Sequence, residues 1–349
     1  MPIPPLYGHE GVRNRLAGAI ASGRLPQALL FHGPRGVGKQ RLALWLAQAL
    51  VCEKGEKGAG CGACRPCSLV ASLSHPDVHW FVPVELTRKG ADADKQVELV
   101  AEALAEEIAA RREQPLYEPP SGLASHGIGS VRLLLRRLVL TPALGRRKIF
   151  IIGDAERLVA QTGADAAANA LLKALEEPPA DTVLVLTSAE PHVLVPTIRS
   201  RVVRVRVARN ADSIVAAFAQ HELGVTQQHE LAQRVAAADG CIGRLIALVG
   251  AQATGTGEGA EAFLRSVRGG PAQRYSSALR QQPFQARGGF TEMLDELLEH
   301  LRDEARAGRE TGGVVAAIAK VLDARALAQG NVNPQLLAAV LADDLAEPA

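Results

Sequence analysis

Two groups of residues in this 349-residue chain have the types and spacing for chemistry. The first is His32-Gly-Pro-Arg-Gly-Val-Gly-Lys-Gln40. It meets the phosphate-loop pattern G-x-x-x-x-G-K-[ST] at Gly33, Gly38 and Lys39, and departs from it at Gln40. Gly33, Gly36 and Gly38 allow successive backbone N–H groups to turn toward phosphate oxygens, and the helix that follows adds its positive end. Lys39 can reach β- and γ-phosphates. The hydroxyl that would hold Mg²⁺ is missing, because Gln40 offers an amide on a longer side chain. The matching strand-end acid is Asp154, in Ile149-Phe-Ile-Ile-Gly-Asp-Ala-Glu-Arg157. A hydrolytic site of this type needs a Glu directly after that Asp to orient or deprotonate water. Here Ala155 intervenes, and Glu156 leaves the strand in a different direction. Two altered positions in one mechanism predict that hydrolysis is weak or absent and that Mg²⁺ is poorly held. The loop keeps the means to bind ATP or ADP; the sequence leaves open whether either is bound.

The second group is Cys52-x8-Cys61-x2-Cys64-x2-Cys67. Four thiolates suit tetrahedral Zn²⁺ at about 2.3 Å each, with an iron–sulfur cluster as the alternative. Gly62 and Pro66 supply tight turns, and Gly55–Gly60 spans the longer gap. Four protein ligands leave no open position, so a structural role is expected. Cys241 stands apart and reads as a packing residue.

The elements that must hold these groups follow from periodicity. Leu25–His32 is a short apolar run into the glycine loop, and Arg41–Val51 is Ala- and Leu-rich helix. Strand, loop and helix in that order are the context a phosphate loop requires. Further strands are expected at 78–82, 148–152, 182–187 and 202–207, and helices at 11–23, 129–140 and 164–177. The runs at 148–152 and 182–187 are almost wholly apolar, as central parallel strands are. Residues 202–207 alternate Val with Arg, as an edge strand would. This alternation predicts a doubly wound α/β domain. Residues 85–127 interrupt it with a helix-prone stretch at 93–112 and a Pro/Gly-rich remainder, read as an inserted solvated helix and loop. After Arg209 the chain turns helical and Ala-rich, with Gly250–Ala260 a linker by composition and amphipathic helices at 290–305 and 313–329.

Composition is that of an ordinary globular chain, 47% hydrophobic and 22% charged, with a net charge of +2 that favours no class of partner. Met1-Pro-Ile-Pro-Pro lacks an apolar targeting core, and no apolar run approaches the roughly 20 residues of a membrane span. A soluble, cytoplasmic chain is expected, with its five cysteines reduced and available as ligands.

The combination of phosphate loop, Cys₄ knuckle, Gly145-Arg-Arg-Lys-Ile-Phe-Ile-Ile-Gly-Asp-Ala-Glu-Arg-Leu158, Asn169-Ala-Leu-Leu-Lys-Ala-Leu-Glu-Glu-Pro-Pro179 and Thr197-Ile-Arg-Ser-Arg201 resembles the bacterial DNA polymerase III clamp-loader subunits, which are AAA+ ATPases. The likeness covers residues 6–207 and returns faintly at Asn331-Val-Asn-Pro-Gln-Leu-Leu337. G-K-Q and D-A-E fit the delta-prime type rather than the gamma/tau motor, which carries G-K-[ST] and D-E-x-H.

The resemblance implies a fold and a set of roles. Residues 1–207 would form the AAA+ parallel-sheet domain, with its zinc knuckle at 52–67 and insertion at 85–127. Residues 208–250 would form a small helical lid, and 251–349 a helical collar domain. Ser200-Arg201 matches the start of the family's Ser-Arg-Cys motif, with Val202 replacing Cys, so Arg201 would be an arginine finger for a neighbouring subunit's ATP. Ser188 falls at a sensor position on the fourth strand. The motor's second-sensor Arg falls at Gly243, with Arg244 one place late. Lys173 would face DNA or solvent, and the basic cluster Arg132, Arg136, Arg137, Arg146, Arg147 and Lys148 would contact phosphate or a partner subunit. The implied partners are gamma/tau- and delta-type subunits in a heteropentamer and, through it, a sliding clamp and primer-template DNA. An active ATPase motor and a zinc-containing nucleic-acid-binding module stand as the alternative functions. As part of a DNA-directed DNA polymerase complex, the chain itself would neither polymerise nor hydrolyse ATP efficiently.

Overall fold

The computed structural model describes residues 2–55, 58–86, 92–116, 124–158, 171–254, 258–281, 289–306, 311–328 and 332–346. They form two compact units, divided between Val249 and Gly250.

In the first unit, α1 (Glu10–Ala21) leads to β1 (Ala28–His32) and α2 (Lys39–Val51). Then come α3 (Arg65–Ala71), β2 (Val78–Phe81), α4 (Ala93–Glu113), α5 (Ile128–Leu138) and β3 (Lys148–Ile152). A 3₁₀ turn (Ala155–Leu158) precedes β4 (Thr182–Ser188), the short α6 (Pro196–Arg199) and β5 (Val203–Arg206). The five strands make one parallel sheet in the order β2-β3-β4-β1-β5. This is the expected parallel-sheet α/β arrangement. Of the expected helix at 164–177, residues 171–176 are helical; the earlier part lies outside the described residues.

Strand alternation splits the apolar residues into two cores. Leu29, Phe31, Ile149, Ile151, Val183 and Val185 face α1 and α2, where they meet Leu42 and Leu46. Leu30, Phe150, Ile152, Leu184 and Leu186 face the other side, under α4 and α5. Every residue of β3 and β4 is therefore buried. The edge strand β5 is mostly exposed.

Three expectations are corrected. First, α4 is not merely a solvated insertion: Val97, Val100 and Leu104 are buried against Val131 and Leu134 of α5. A bridge between Val84 and Ser125 closes the excursion at its base. The charged outer face of α4 dominates its composition and masks the narrow apolar stripe. Second, Lys148 is not a surface cation: it is 2% exposed, and its Nζ donates to Leu138 O at 2.6 Å and to Leu140 O. It also lies 3.7 Å from Asp181. Third, Gly250–Ala260 is not a linker throughout. Residues 250–254 end one helix and 258–260 begin another; once nucleated at Ile242, a helix extends cheaply through such residues.

Beyond the sheet, α7 (Asp212–Glu222), α8 (Gln228–Ala238) and α9 (Ile242–Thr254) share a core of Val215, Phe218, Leu231, Val235 and Leu245. The second unit contains α10 (Glu258–Val267), α11 (Pro271–Leu279), α12 (Thr291–Arg306), α13 (Thr311–Ala328) and α14 (Pro334–Ala346). They pack about Phe263, Leu294, Leu297, Val321 and Leu341. Asn333 caps α14 by accepting from Gln335 N at 2.9 Å, with Pro334 in the first turn. No described helix is long and apolar enough to cross a membrane.

The packing of α4 makes a paired prediction. Leu104→Ala should destabilise the first unit by about 2–5 kcal/mol. Glu102→Ala, on the exposed face, should stay within about 0.5 kcal/mol. Urea unfolding followed by circular dichroism measures both, and equal midpoints would mean that α4 is solvated after all.

Candidate functional site

Parallel pairing brings the carboxyl ends of β1, β3 and β4 to one edge. His32 stands opposite Ser188, and Ile152 opposite Leu186. The glycine loop, Asp154 and Ser188 therefore emerge side by side from residues far apart in sequence.

The loop has the backbone its glycines allow. Gly36 and Gly38 adopt φ of 73° and 108°, which side chains other than hydrogen rarely permit. His9 braces the loop, its Nε2 donating to Val37 O at 2.9 Å. Lys39 is 6% exposed, and its Nζ donates to Gly33 O at 3.0 Å and Pro34 O at 2.9 Å. Burial pushes its pKa down, opposed by the carboxylates of Glu156 and Asp154. The ammonium is thus satisfied inside the loop.

Gln40 occupies the place where a hydroxyl and a metal would be expected. Its Nε2 donates to Asp154 Oδ2 at 3.0 Å, and its Oε1 accepts from Trp80 Nε1 at 3.1 Å. The amide orientation follows from its partners, since an indole N–H can only donate and an ionised carboxylate can only accept. The amide thus turns an N–H, not an oxygen, toward the acid that would hold Mg²⁺. Gly153 makes room: a Cβ there would lie 2.8 Å from the Gln40 amide. Asp154 itself has φ 49°, and its N–H donates to Thr187 Oγ1 at 3.1 Å.

The other strand-end groups face their own neighbours. Glu156 accepts from Ala189 N at 3.1 Å; burial, then the charge of Asp154, raises its pKa. Ser188 is fully buried, and its Oγ accepts from Glu190 N at 3.1 Å. Beside the loop lies a largely apolar pocket walled by the N-terminal segment Ile3–Tyr7, Trp80 and the α7–α9 residues Phe218, Ile242 and Ile246. There the backbone of Gly243 docks on the loop, its N–H donating to Gly36 O at 2.8 Å. A Cβ on Gly243 would stand 2.6 Å from Gly36 Cα. No side chain fits at the position where the sensor Arg would fall.

Arg201 follows α6 and does not line that pocket. Its Nε donates to Glu176 Oε1 at 2.6 Å, and its Nη1 to Thr197 O at 2.9 Å. The side chain is one-third exposed and fixed at the surface. Lys173 is exposed, and Arg136 pairs with Asp94.

The four predicted cysteines converge. Their Sγ atoms all lie within 4.8 Å of one another, with Cys52–Cys64 at 3.8 Å and Cys61–Cys67 at 4.0 Å. A tetrahedron with metal–sulfur bonds of about 2.3 Å has edges of about 3.8 Å. Backbone N–H groups of Cys61 and Cys64 point at Cys52 and Cys61 sulfurs, each at 3.3 Å. Backbone hydrogen bonds pull the exposed Cys61 thiol down to about 6, toward the thiolate that a metal needs. These residues could hold a metal ion. The cluster is docked on the helices: a Cβ on Gly58 would strike Ala17 O at 2.1 Å, and Gln48 Nε2 donates to Cys67 O at 3.1 Å.

Gln40 with Asp154, and the four cysteines, are brought together as sets. Trp80, His9 and the Gly36–Gly243 contact were not legible as site features. Trp80 lies within an expected strand, and nothing local links it to Gln40.

Comparison with known proteins adds the family context. The family described as DNA polymerase III, delta subunit, matches residues 8–211. The chain is similar to the DNA polymerase III subunit delta' of Pseudomonas aeruginosa, with 34% identity over 177 residues, 51% of this chain and 42% of that one. It is also similar to the delta' subunit of Bacillus subtilis, 35% identical over 191 residues, 54% of this chain and 44% of that one. A gamma/tau subunit of Mycobacterium tuberculosis is 32% identical over 197 residues, 56% of this chain and 27% of that one. The chain thus spans less than half the length of these relatives.

Gln40→Leu removes both polar ends of the amide and leaves the Trp80 N–H and one Asp154 oxygen unpaired. The expected cost is about 1–3 kcal/mol in urea unfolding, with a shift in tryptophan emission. An unchanged midpoint and spectrum would mean that the bridge carries no stability.

Proposed function

The chain belongs to the DNA polymerase III delta-subunit family, and on that premise we propose that it is a delta-prime-type clamp-loader subunit acting in DNA replication. In this reading it joins gamma/tau- and delta-type subunits in a heteropentamer that uses ATP to open a sliding clamp on primed DNA. Its own phosphate loop hydrolyses ATP poorly or not at all, and it acts in the cytoplasm. Residues 1–207 serve as the nucleotide-binding-type domain, 208–250 as the lid and 251–349 as the collar.

The observation that carries this reading is the Gln40 amide held between Asp154 and Trp80. A hydrolytic site needs oxygen ligands for Mg²⁺ and a carboxylate aimed at water. This chain presents an amide N–H to Asp154 and engages Glu156 elsewhere. Lys39, Gly33, Gly36 and Gly38 still suit a bound ATP or ADP, which would have to draw Lys39 from its two carbonyl bonds. Arg201 lies outside the chain's own pocket, on the surface, which suits a residue offered to a neighbouring subunit's ATP. A guanidinium serves there because its fixed charge offsets the charge of the transferring phosphoryl group. For the collar, Leu322, Leu327, Leu336 and Val340 are exposed apolar residues on α13 and α14 that a partner's helices could cover.

Structural Zn²⁺ is the proposed occupant of the cysteine cluster. Four thiolates would close its coordination sphere, and the metal would fix the knuckle against α1 and α2.

Reconstitution tests the division of labour. The isolated chain should turn over ATP no faster than its Lys39→Ala variant. In the assembled complex, Arg201→Ala should slow the neighbouring site by about 10³-fold or more, with assembly by gel filtration unchanged. Rapid turnover by the isolated chain that needs Lys39 would make it a motor subunit instead. For the knuckle, elemental analysis should find about one zinc per chain, lost in Cys64→Ser, together with about 2 kcal/mol or more of stability. Iron, or no metal, would refute the zinc assignment.

A further inference from the structure

Arg201 does not wave in solvent. A guanidinium carries five N–H donors in a rigid planar fork, and most of this one are engaged. Its Nε–H donates to Glu176 Oε1 at 2.6 Å, and Nη2 meets the same oxygen. Its Nη1 donates to Thr197 O at 2.9 Å and to Ser200 Oγ at 3.3 Å. Ser200 Oγ donates in turn to Thr197 O at 3.0 Å. Planarity turns the second N–H of Nη2 away from Glu176, and it has no partner among the described residues.

The two segments that make this contact stand on one buried footing. Leu171, Ala174 and Leu175 of the helix at 171–176 share a core with Ile198 and Val202, which flank Arg201. Pro178 and Pro179 stop that helix just beyond Glu176, and Pro196 opens α6. Acid and guanidinium, 25 residues apart in sequence, are thereby set side by side at the surface. Neither helix nor stability accounts for an acid at this place. Glu176 lies in the last turn of its helix, where the negative helix end disfavours a carboxylate. It is 44% exposed, and an ion pair so open to water adds little to stability. What Glu176 does have is the Nε edge of Arg201.

We infer that Glu176 is a positioning residue for Arg201: its Oε1 fixes the guanidinium by the Nε edge and leaves the outer N–H for a phosphate oxygen of the neighbouring subunit's ATP. The inference rests on the proposed role of Arg201 as a finger. An unheld arginine loses rotamer freedom when it reaches a phosphate. Held beforehand by Glu176, Thr197 and Ser200, it meets the transferring phosphoryl group already oriented. The acceptor oxygen supplies the orientation, so a neutral amide of the same length serves in its place. The carboxylate charge subtracts little from the guanidinium, because water screens it at this exposure.

The test uses the full chain in the reconstituted complex, with hydrolysis read at the ATP site that adjoins it and the other ATP sites disabled. Glu176→Ala should lower kcat about tenfold or more, with the KM for ATP within about twofold. Glu176→Gln should restore kcat to within about threefold of the unmodified complex. Glu177→Ala, whose side chain has no partner among the described residues, should match the unmodified complex. In an Arg201→Ala background, Glu176→Ala should cause no further loss, because the acid acts only through the guanidinium. Assembly by gel filtration and the urea midpoint of the chain should not move. A Glu176→Ala complex as fast as the unmodified one, or faster, would overturn the inference, the faster case making Glu176 a restraint. So would a Gln variant as slow as the Ala variant, a further loss in the Arg201→Ala background, or failure of Glu176→Ala to assemble. The premise is read separately: an Arg201→Ala complex with undiminished kcat sinks the finger role and this inference with it. A slowed Arg201→Ala beside an unaffected Glu176→Ala sinks the inference alone.

Discussion

Burial of the central strands on both faces is the constraint from which the rest of this molecule follows. Residues 149–152 of β3 and 183–186 of β4 carry no polar side chain, so helices must cover them above and below. Parallel pairing then sends every crossover back over the sheet and leaves one edge, the carboxyl ends of the strands, as the place where loops gather. Gly33, Asp154 and Ser188 are neighbours for that reason. The same requirement explains α4. The sheet face that carries Phe150 and Leu184 needs a cover, and Val97, Val100 and Leu104 help supply it.

At that edge, hydrogen bonding outweighs the electrostatics of an open nucleotide site. Lys39 sits near two carboxylates, and in a loop built for Mg²⁺–nucleotide its charge would serve phosphate. Burial disfavours the free ammonium, and two loop carbonyls satisfy it instead. Gln40 does the same for Asp154. A neutral amide can meet both an acceptor-only acid and a donor-only indole, which a Ser or Thr hydroxyl at that position is too short to span. Gly243 closes the arrangement from the α9 side by bringing backbone to backbone with Gly36. Gln40 and Gly243, two of the departures from a hydrolytic pattern, therefore meet around one loop.

The cysteine cluster and the Gln40 bridge show two ways in which polar groups are brought together. In the cluster, short spacing and turn-forming glycines bring four sulfurs to within 4.8 Å of one another. In the bridge, distant elements bring an amide, a carboxylate and an indole N–H together. The first arrangement is local and the second is not, and that difference governs how visible each is in a sequence.

The sequence by itself determined the residue types and local spacings. These were the glycine loop, the four cysteines, the all-apolar runs of β3 and β4, and the alternation that made β5 an edge. Each depends on residues within one or two turns or strand repeats, where geometry follows from period and backbone freedom. Composition misread α4, Lys148 and residues 250–260, because averages over a segment hide which face is buried. Only the tertiary structure decided what Gln40 does. Its partners are 40 and 114 residues away, as the contact of Gly36 with Gly243 also spans the fold. A side chain's donors and acceptors are written in its type, but their partners are chosen by packing, and the period of a strand does not say which distant strand end will lie beside it.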